Sequence, residues 1–171
     1  MISVVLVEPE IPANTGNVAR TCACTGASLY LVGKLGFEIT ESRVKRAGLD
    51  YWDKVHIEHV PTLEELWSRF GEENFFYFSS KARRSFSSVT YPRDAFLVFG
   101  KETRGLPEPL LTAHADHAVR IPMISDVRCL NLSNSVAVGV YEALRQWDFP
   151  ELENKGRLRE YEWKDEGAEH E

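Results

Sequence analysis

Cysteine is scarce in this sequence. Cys22, Cys24 and Cys129 are an odd number with no Cys-x-x-Cys pair, which argues against a disulfide framework. Long hydrophobic runs are missing too: nothing approaches the ~18 apolar residues of a membrane helix. The opening "MISVVLVEPE" meets an acid and a proline early, so no secretory leader is expected and a soluble, cytoplasmic protein is. Strong charge of one sign is also absent from the body. The net charge is −6, but residues 151–171 hold eight acids and four bases, which leaves −2 for the first 150 residues. A near-neutral body excludes a protein that coats nucleic acid indiscriminately, since that needs a broad basic face; a local basic patch remains open.

The common nucleotide signatures are lacking as well. "FLVFGKE" contains Gly-Lys, but Ala95 stands where a phosphate loop needs its first glycine, and Glu102 stands where it needs Ser or Thr. No G-x-G-x-x-G follows the first apolar run. A kinase, an NTPase or an ordinary dinucleotide enzyme is therefore disfavoured. No metal site is expected either, because His56/His59 and His114/His117 share a spacing but have no third ligand or cysteine nearby.

What is present is an ordinary globular composition, 43% hydrophobic and 27% charged over 171 residues. A chain of this length buries roughly two-thirds of its unfolded surface around one core. One domain is expected over residues 1–150, followed by a charged, mobile tail over 151–171. Short β-rich runs, 2–7, 28–33, 54–60, 74–80, 95–100 and 117–122, alternate with helical patterns at 14–27, 39–48, 62–71, 107–113 and 133–147. Thr62 and Glu65 form a capping box, and Pro150 is expected to stop the last helix. Such alternation predicts the α/β class, with a mainly parallel sheet covered by helices on both faces.

In such folds ligands gather beyond the carboxyl ends of the strands. Four polar loops fall there: "EPEIPANTGN", "SSKARRS", "GKETRGLP" and "MISDVRCLNLS". The last is over-furnished for a helix start, with Arg128, Asn131, Ser133, Asn134 and Ser135 at the mouth of an apolar helix. In "NTGNVAR", a capping Asn, a packing glycine and a solvent-facing arginine are one explanation. The other is that Asn14, Asn17 and Arg20 converge on a ligand at a helix start, with Arg20 gripping a phosphate or ribose through its charged fork. Glu102 and Arg104, flanked by Gly100 and Gly105, suit either a sharp loop or a small-molecule rim. Arg43, Lys45 and Arg46, and Lys81, Arg83 and Arg84, are solvated clusters or phosphate grips. The last helix carries a core stripe, Val136, Val140, Ala143, Leu144 and Trp147, yet Ala137, Val138 and Tyr141 opposite are also apolar. That second face, with Gly139 allowing close approach, is expected at a subunit interface.

Taken together, "EPEIPANTGNVAR", "RAGLDYW", "FGKETRGLP" and "IPM…R.LNLSNSVAVGVYEALRQ" resemble the SPOUT RNA methyltransferases, nearest their minimal type acting on the tRNA wobble ribose. The resemblance covers about residues 1–148, in order. It implies a SPOUT fold with a deep C-terminal trefoil knot, a feature too rare to expect from periodicity. It also implies a homodimer, S-adenosylmethionine as methyl donor with no metal, and the tRNA anticodon stem-loop as partner, methylated on the ribose of cytidine or uridine 34 in leucine tRNAs. Carried over by position, Asn14, Arg20, Glu102, Asn131 and Ser133 are catalytic, and Phe78, Gly100, Ile121, Cys129 and Leu130 bind the cofactor. Arg43, Lys45, Arg46, Lys81, Arg83 and Arg84 would bind RNA. Related enzymes often carry serine where Cys129 stands. Arg20 is the family's candidate base, although a guanidinium with a pKa above about 12 is a poor one. Two roles stay open to it: desolvation beside the cationic donor perturbs it, or it fixes the adjacent phosphate. Ribose methylation elsewhere in tRNA or rRNA, and a non-catalytic RNA- or cofactor-binding protein on the same scaffold, are the alternatives.

Overall fold

The computed structural model describes residues 1–38, 54–126 and 129–163. Strand β1 (Ser3–Val7) leads into helix α1 (Pro12–Thr25), then β2 (Ser28–Val32) and β3 (Ile57–Val60). Helix α2 (Leu63–Phe70), β4 (Phe75–Phe78), the two-residue β5 (Arg84–Ser85) and β6 (Phe96–Phe99) follow. Helix α3 (Glu108–Ala113), β7 (Ala118–Arg120) and α4 (Leu132–Gln146) complete the described elements. The six expected strands all form, each one to three residues shorter, and β5 is an addition too brief to leave a periodic signal. The pattern expected over 39–48 lies outside the described residues, as do Arg43, Lys45, Arg46, all of "RAGLDYW", and Arg128.

The sheet order is β3-β2-β1-β6-β4-β7-β5, and every strand pair in it is parallel. The chain lays β1, β2 and β3 outward in one direction, then crosses to the other half. There β6 enters between β1 and β4, and β7 enters between β4 and β5. The β1/β6 boundary is thus the point where the order reverses, the place where parallel sheets open a crevice.

Strand alternation sorts the core into two layers. Val4, Leu6, Leu29, Leu31, Phe76, Phe78, Leu97 and Phe99 face one side, against Val18, Ala19 and Cys22 of α1 and Val136, Val140, Ala143 and Leu144 of α4. Val5, Tyr30, Phe75, Tyr77, Phe96 and Val98 face the other, against Leu63 and Leu66 of α2 and Leu111 of α3. Buried on both faces, the central strands β1, β2, β4 and β6 are almost continuously apolar, as the interior of a parallel sheet requires.

Helix ends follow local chemistry. The Thr62 hydroxyl accepts from the Glu65 amide at 3.4 Å. Helix α1 has no side-chain cap of its own, starts on Pro12, and ends on left-handed Gly26. Helix α4 stops at Gln146, well before Pro150, because Asp148 and Phe149 both take left-handed φ angles there. Its end is tied down by Gln146, which accepts from the Tyr91 amide (3.0 Å) and donates to the Val89 carbonyl (2.9 Å). No regular element follows it among the described residues.

Candidate active site

The carboxyl ends of β6, β4 and β7 open into a cavity of about 650 Å³, within the ~300–1,000 Å³ typical of ligand pockets. Its floor is the stacked pair Phe78–Phe99, with ring centroids 4.6 Å apart. Its walls are the loops after β4 (Ser79–Lys81), β6 (Gly100–Gly105) and β7 (Ile121, Met123), closed by Cys129–Leu132 and Ser135 at the head of α4. All five residues expected to hold the cofactor, Phe78, Gly100, Ile121, Cys129 and Leu130, line this space. Gly100 admits no side chain, since a Cβ there would lie 2.1 Å from the Gly105 carbonyl carbon. A hydrogen bond from the Gly105 amide to the Lys101 carbonyl, 2.8 Å, folds the β6 loop into a tight turn.

At the rim, three chain segments meet in one hydrogen-bonded series. Glu102 accepts from the amides of Glu10 (2.8 Å) and Ile11 (3.1 Å), and from Asn14 Nδ2 (3.0 Å). Its carboxylate therefore holds, from a distant loop, the backbone just ahead of α1, and it sits where the helix dipole favours negative charge. Asn14, 7% exposed, turns its Oδ1 to Asn131 Nδ2 at 3.0 Å. Asn131 Oδ1 then caps α4, accepting from the Ser133 amide (2.9 Å), the Ser133 hydroxyl (2.6 Å) and the Asn134 amide (3.4 Å). The polar crowd before α4 is thus explained: part of it caps the helix, part joins α4 to α1, and Ser135 faces the cavity.

Four of the five residues expected to be catalytic, Asn14, Glu102, Asn131 and Ser133, are brought together by this series. Arg20 is not a member of the series. It lies exposed further along α1 and does not line the cavity, and Asn17 is likewise exposed. Of the described basic cluster, Lys81 lines the cavity and pairs with Glu108 at 2.7 Å, and Arg84 donates to the Asp116 carbonyl at 2.6 Å. Arg83 is exposed, and Arg104 stands exposed on the cavity wall. The four described histidines serve packing. His59 bonds the Gly33 carbonyl at 2.7 Å, His117 bonds that of Phe75 at 3.0 Å, His114 stacks on Tyr77, and His56 lies edge-on to Tyr30.

Sequence reasoning passed over Glu8, Glu10, Lys101 and Thr103. The first two precede α1 and the others follow β6. Only the parallel register of β1 on β6, Leu6 opposite Phe99, brings the pairs together.

Residues 1–141 match the SpoU rRNA Methylase family. An Escherichia coli (strain K12) relative, a tRNA (cytidine(34)-2′-O)-methyltransferase, is 42% identical over 151 residues, 88% of this chain and 96% of its own. A Bacillus subtilis (strain 168) relative under a provisional form of the same name is 47% identical over 154 residues, 88% of this chain and 96% of its own. A solved structure concerned with 2′-OH methylation of C/U34 on tRNA superposes with a TM-score of 0.81 at 40% identity, covering 86% of this chain and 97% of the other. Fold, cavity and these likenesses together define an RNA ribose 2′-O-methyltransferase. The chain belongs to the SpoU methylase family.

Proposed function

We propose that this enzyme moves a methyl group from S-adenosylmethionine to the ribose 2′-oxygen of the wobble nucleotide, cytidine or uridine 34, in leucine tRNAs of the cytoplasm. The observation that carries the reading is the Glu102–Asn14–Asn131–Ser133 series at the rim of a cavity with an aromatic floor. The cavity fits the donor: its volume suits a nucleoside-sized ligand, and Gly100, which has no room for a Cβ against Gly105 and Leu106, lets the turn that forms its wall close tightly. When bound, the donor supplies a methyl group already activated on a sulfonium.

The chain's own tasks are placement and proton handling. Phe78, Gly100, Ile121, Cys129 and Leu130 hold the donor. Asn14 and Asn131 keep the rim in shape where the ribose enters. Arg20 meets the RNA from the exposed side of α1. Arg83 and Arg104 take phosphates, and Lys81 exchanges Glu108 for one. The anticodon loop presents splayed bases, and the 2′-hydroxyl separates RNA from DNA. Exposed Val138 and Tyr141, with Ala137 beside them, are assigned to a homodimer interface. The place of β7 in the sheet, between β4 and β5, supports a knotted C-terminal half.

The test incubates the protein with labelled S-adenosylmethionine and total tRNA, then locates the label by nuclease digestion. Label on the ribose of nucleotide 34 is expected. Label on another ribose would overturn the wobble assignment, and no label in the tRNA would overturn tRNA methylation. Arg20→Lys should lose most of the activity if the guanidinium fork matters; near-full activity measured in the same assay would remove that role.

A further inference from the structure

The β1–α1 loop and the β6 loop are joined by more than the rim series. Lys101 Nζ pairs with Glu8 Oε2 at 2.6 Å, and Glu102 accepts from the backbone of Glu10 and Ile11. The favour is returned by Glu10, whose Oε2 accepts from both the Thr103 amide (3.1 Å) and the Thr103 hydroxyl (2.8 Å). Two carboxylates thus clasp each other's loop. Behind Glu10 the backbone is held as well. The Gly36 amide donates to the Pro9 carbonyl at 2.9 Å, and a Cβ on Gly36 would fall 2.7 Å from Glu10 Cα.

Glu10 does not line the cavity, whereas Lys101, Glu102, Thr103 and Arg104 do. The 100–105 turn is closed on itself by its own hydrogen bond, but that bond cannot stop it from swinging as a body about its stem. The bonds across to residues 8–11 can. Those that Glu102 accepts fix the turn's near side, and those that Glu10 accepts fix its tip at Thr103.

We propose that Glu10 is a positioning residue for the methyl donor, acting through Thr103 to hold the 100–105 wall at the separation the donor requires. This rests on the donor reading of the cavity. Both bonds from Thr103 end on one oxygen of Glu10, so an acceptor is needed there and a charge is not.

The test compares wild type, Glu10→Ala, Glu10→Gln, Thr103→Val and the Glu10→Ala/Thr103→Val double variant. It measures equilibrium binding of S-adenosylmethionine, steady-state methyl transfer to tRNA, and amide hydrogen exchange of the full-length protein. Glu10→Ala should weaken donor binding and raise its KM about tenfold, about 1.4 kcal/mol, with kcat at saturating donor and the KM for tRNA within about twofold. Glu10→Gln should stay within about twofold of wild type, because one amide oxygen can accept both bonds. The double variant should be no weaker than Glu10→Ala alone. Exchange should quicken across residues 100–106 in Glu10→Ala, while 96–99 in β6 is unchanged. Undiminished donor affinity in Glu10→Ala, or Glu10→Gln as weak as Glu10→Ala, overturns the proposal. If Glu10→Ala does not fold, a double variant of Glu10→Gln with Thr103→Val that binds donor as wild type does overturns it too. A wild-type protein that binds no donor overturns the donor reading instead, and exchange at 100–106 then still shows whether Glu10 holds the loop.

Discussion

A side-chain amide has a direction, and at Asn14 and Asn131 it is set from both ends of the series. Glu102 only accepts, so Asn14 must offer it Nδ2 and therefore present Oδ1 to Asn131. The free amides at the head of α4 only donate, so Asn131 must offer them Oδ1 and present Nδ2 to Asn14. The two demands agree, which is why asparagine rather than aspartate occupies both places. Glu102 is the least replaceable member. It spends both oxygens on three donors, so Glu102→Gln would turn an NH2 toward at least one of them. We expect that variant to lose about 1–3 kcal/mol of stability in urea unfolding and more than about tenfold in methyl transfer. The matching change at Glu10 should be nearly silent. Both residues follow strands in polar loops, and the sequence alone marked Glu102 through its family motif while leaving Glu10 unremarked. Their difference lies in how many oxygens are engaged, a property of space.

At the scale of elements, α4 shows what a mid-helix glycine can be for. Gly139, which costs about 1 kcal/mol in the helix, signals a close approach. What approaches it is the cavity floor. A Cβ there would stand 3.0 Å from Phe78 Cε1 and Cζ and 3.3 Å from Phe99 Cζ. Gly139→Val should therefore displace the stacked pair, costing about 1–3 kcal/mol in thermal unfolding and weakening any cavity ligand with it. The edge strand β3 shows a different kind of fastening. Arg69 of α2 holds Glu58 in a two-bond fork, 2.6 and 2.9 Å, and the hydrogen bond from Arg69 keeps that carboxyl below its ordinary range. A carboxyl lowered on folding contributes stability above its unfolded pKa, about 4.3, and loses it as pH falls through the folded value. Glu58→Gln should thus lower the Tm slightly at pH 7, and the gap from wild type should close as the solution is acidified below about pH 4. The pair is solvent-exposed, so high salt should narrow the same gap.

At the scale of the molecule, Val138 and Tyr141 on α4 are 38% and 46% exposed. If that face joins two copies, Tyr141→Asp should convert a dimer to a monomer in sedimentation equilibrium, without lowering the far-UV helix signal. An unchanged mass would remove the interface from α4. The sequence by itself determined the class of fold, because strand alternation and helical periodicity are local and survive in one dimension. It also determined which polar loops share an edge of the sheet, since in a parallel sheet every strand's carboxyl end points the same way. What it left open was contact across the chain. The entry of β6 beside β1, which sets Glu10 against Thr103 and Glu102 against the start of α1, joins residues some ninety positions apart. So does the series from Glu102 through Asn14 to the cap of α4. Periodicity carries no information over such separations. Only the packed sheet, with strands about 4.8 Å apart in one register, brings those groups within hydrogen-bond reach.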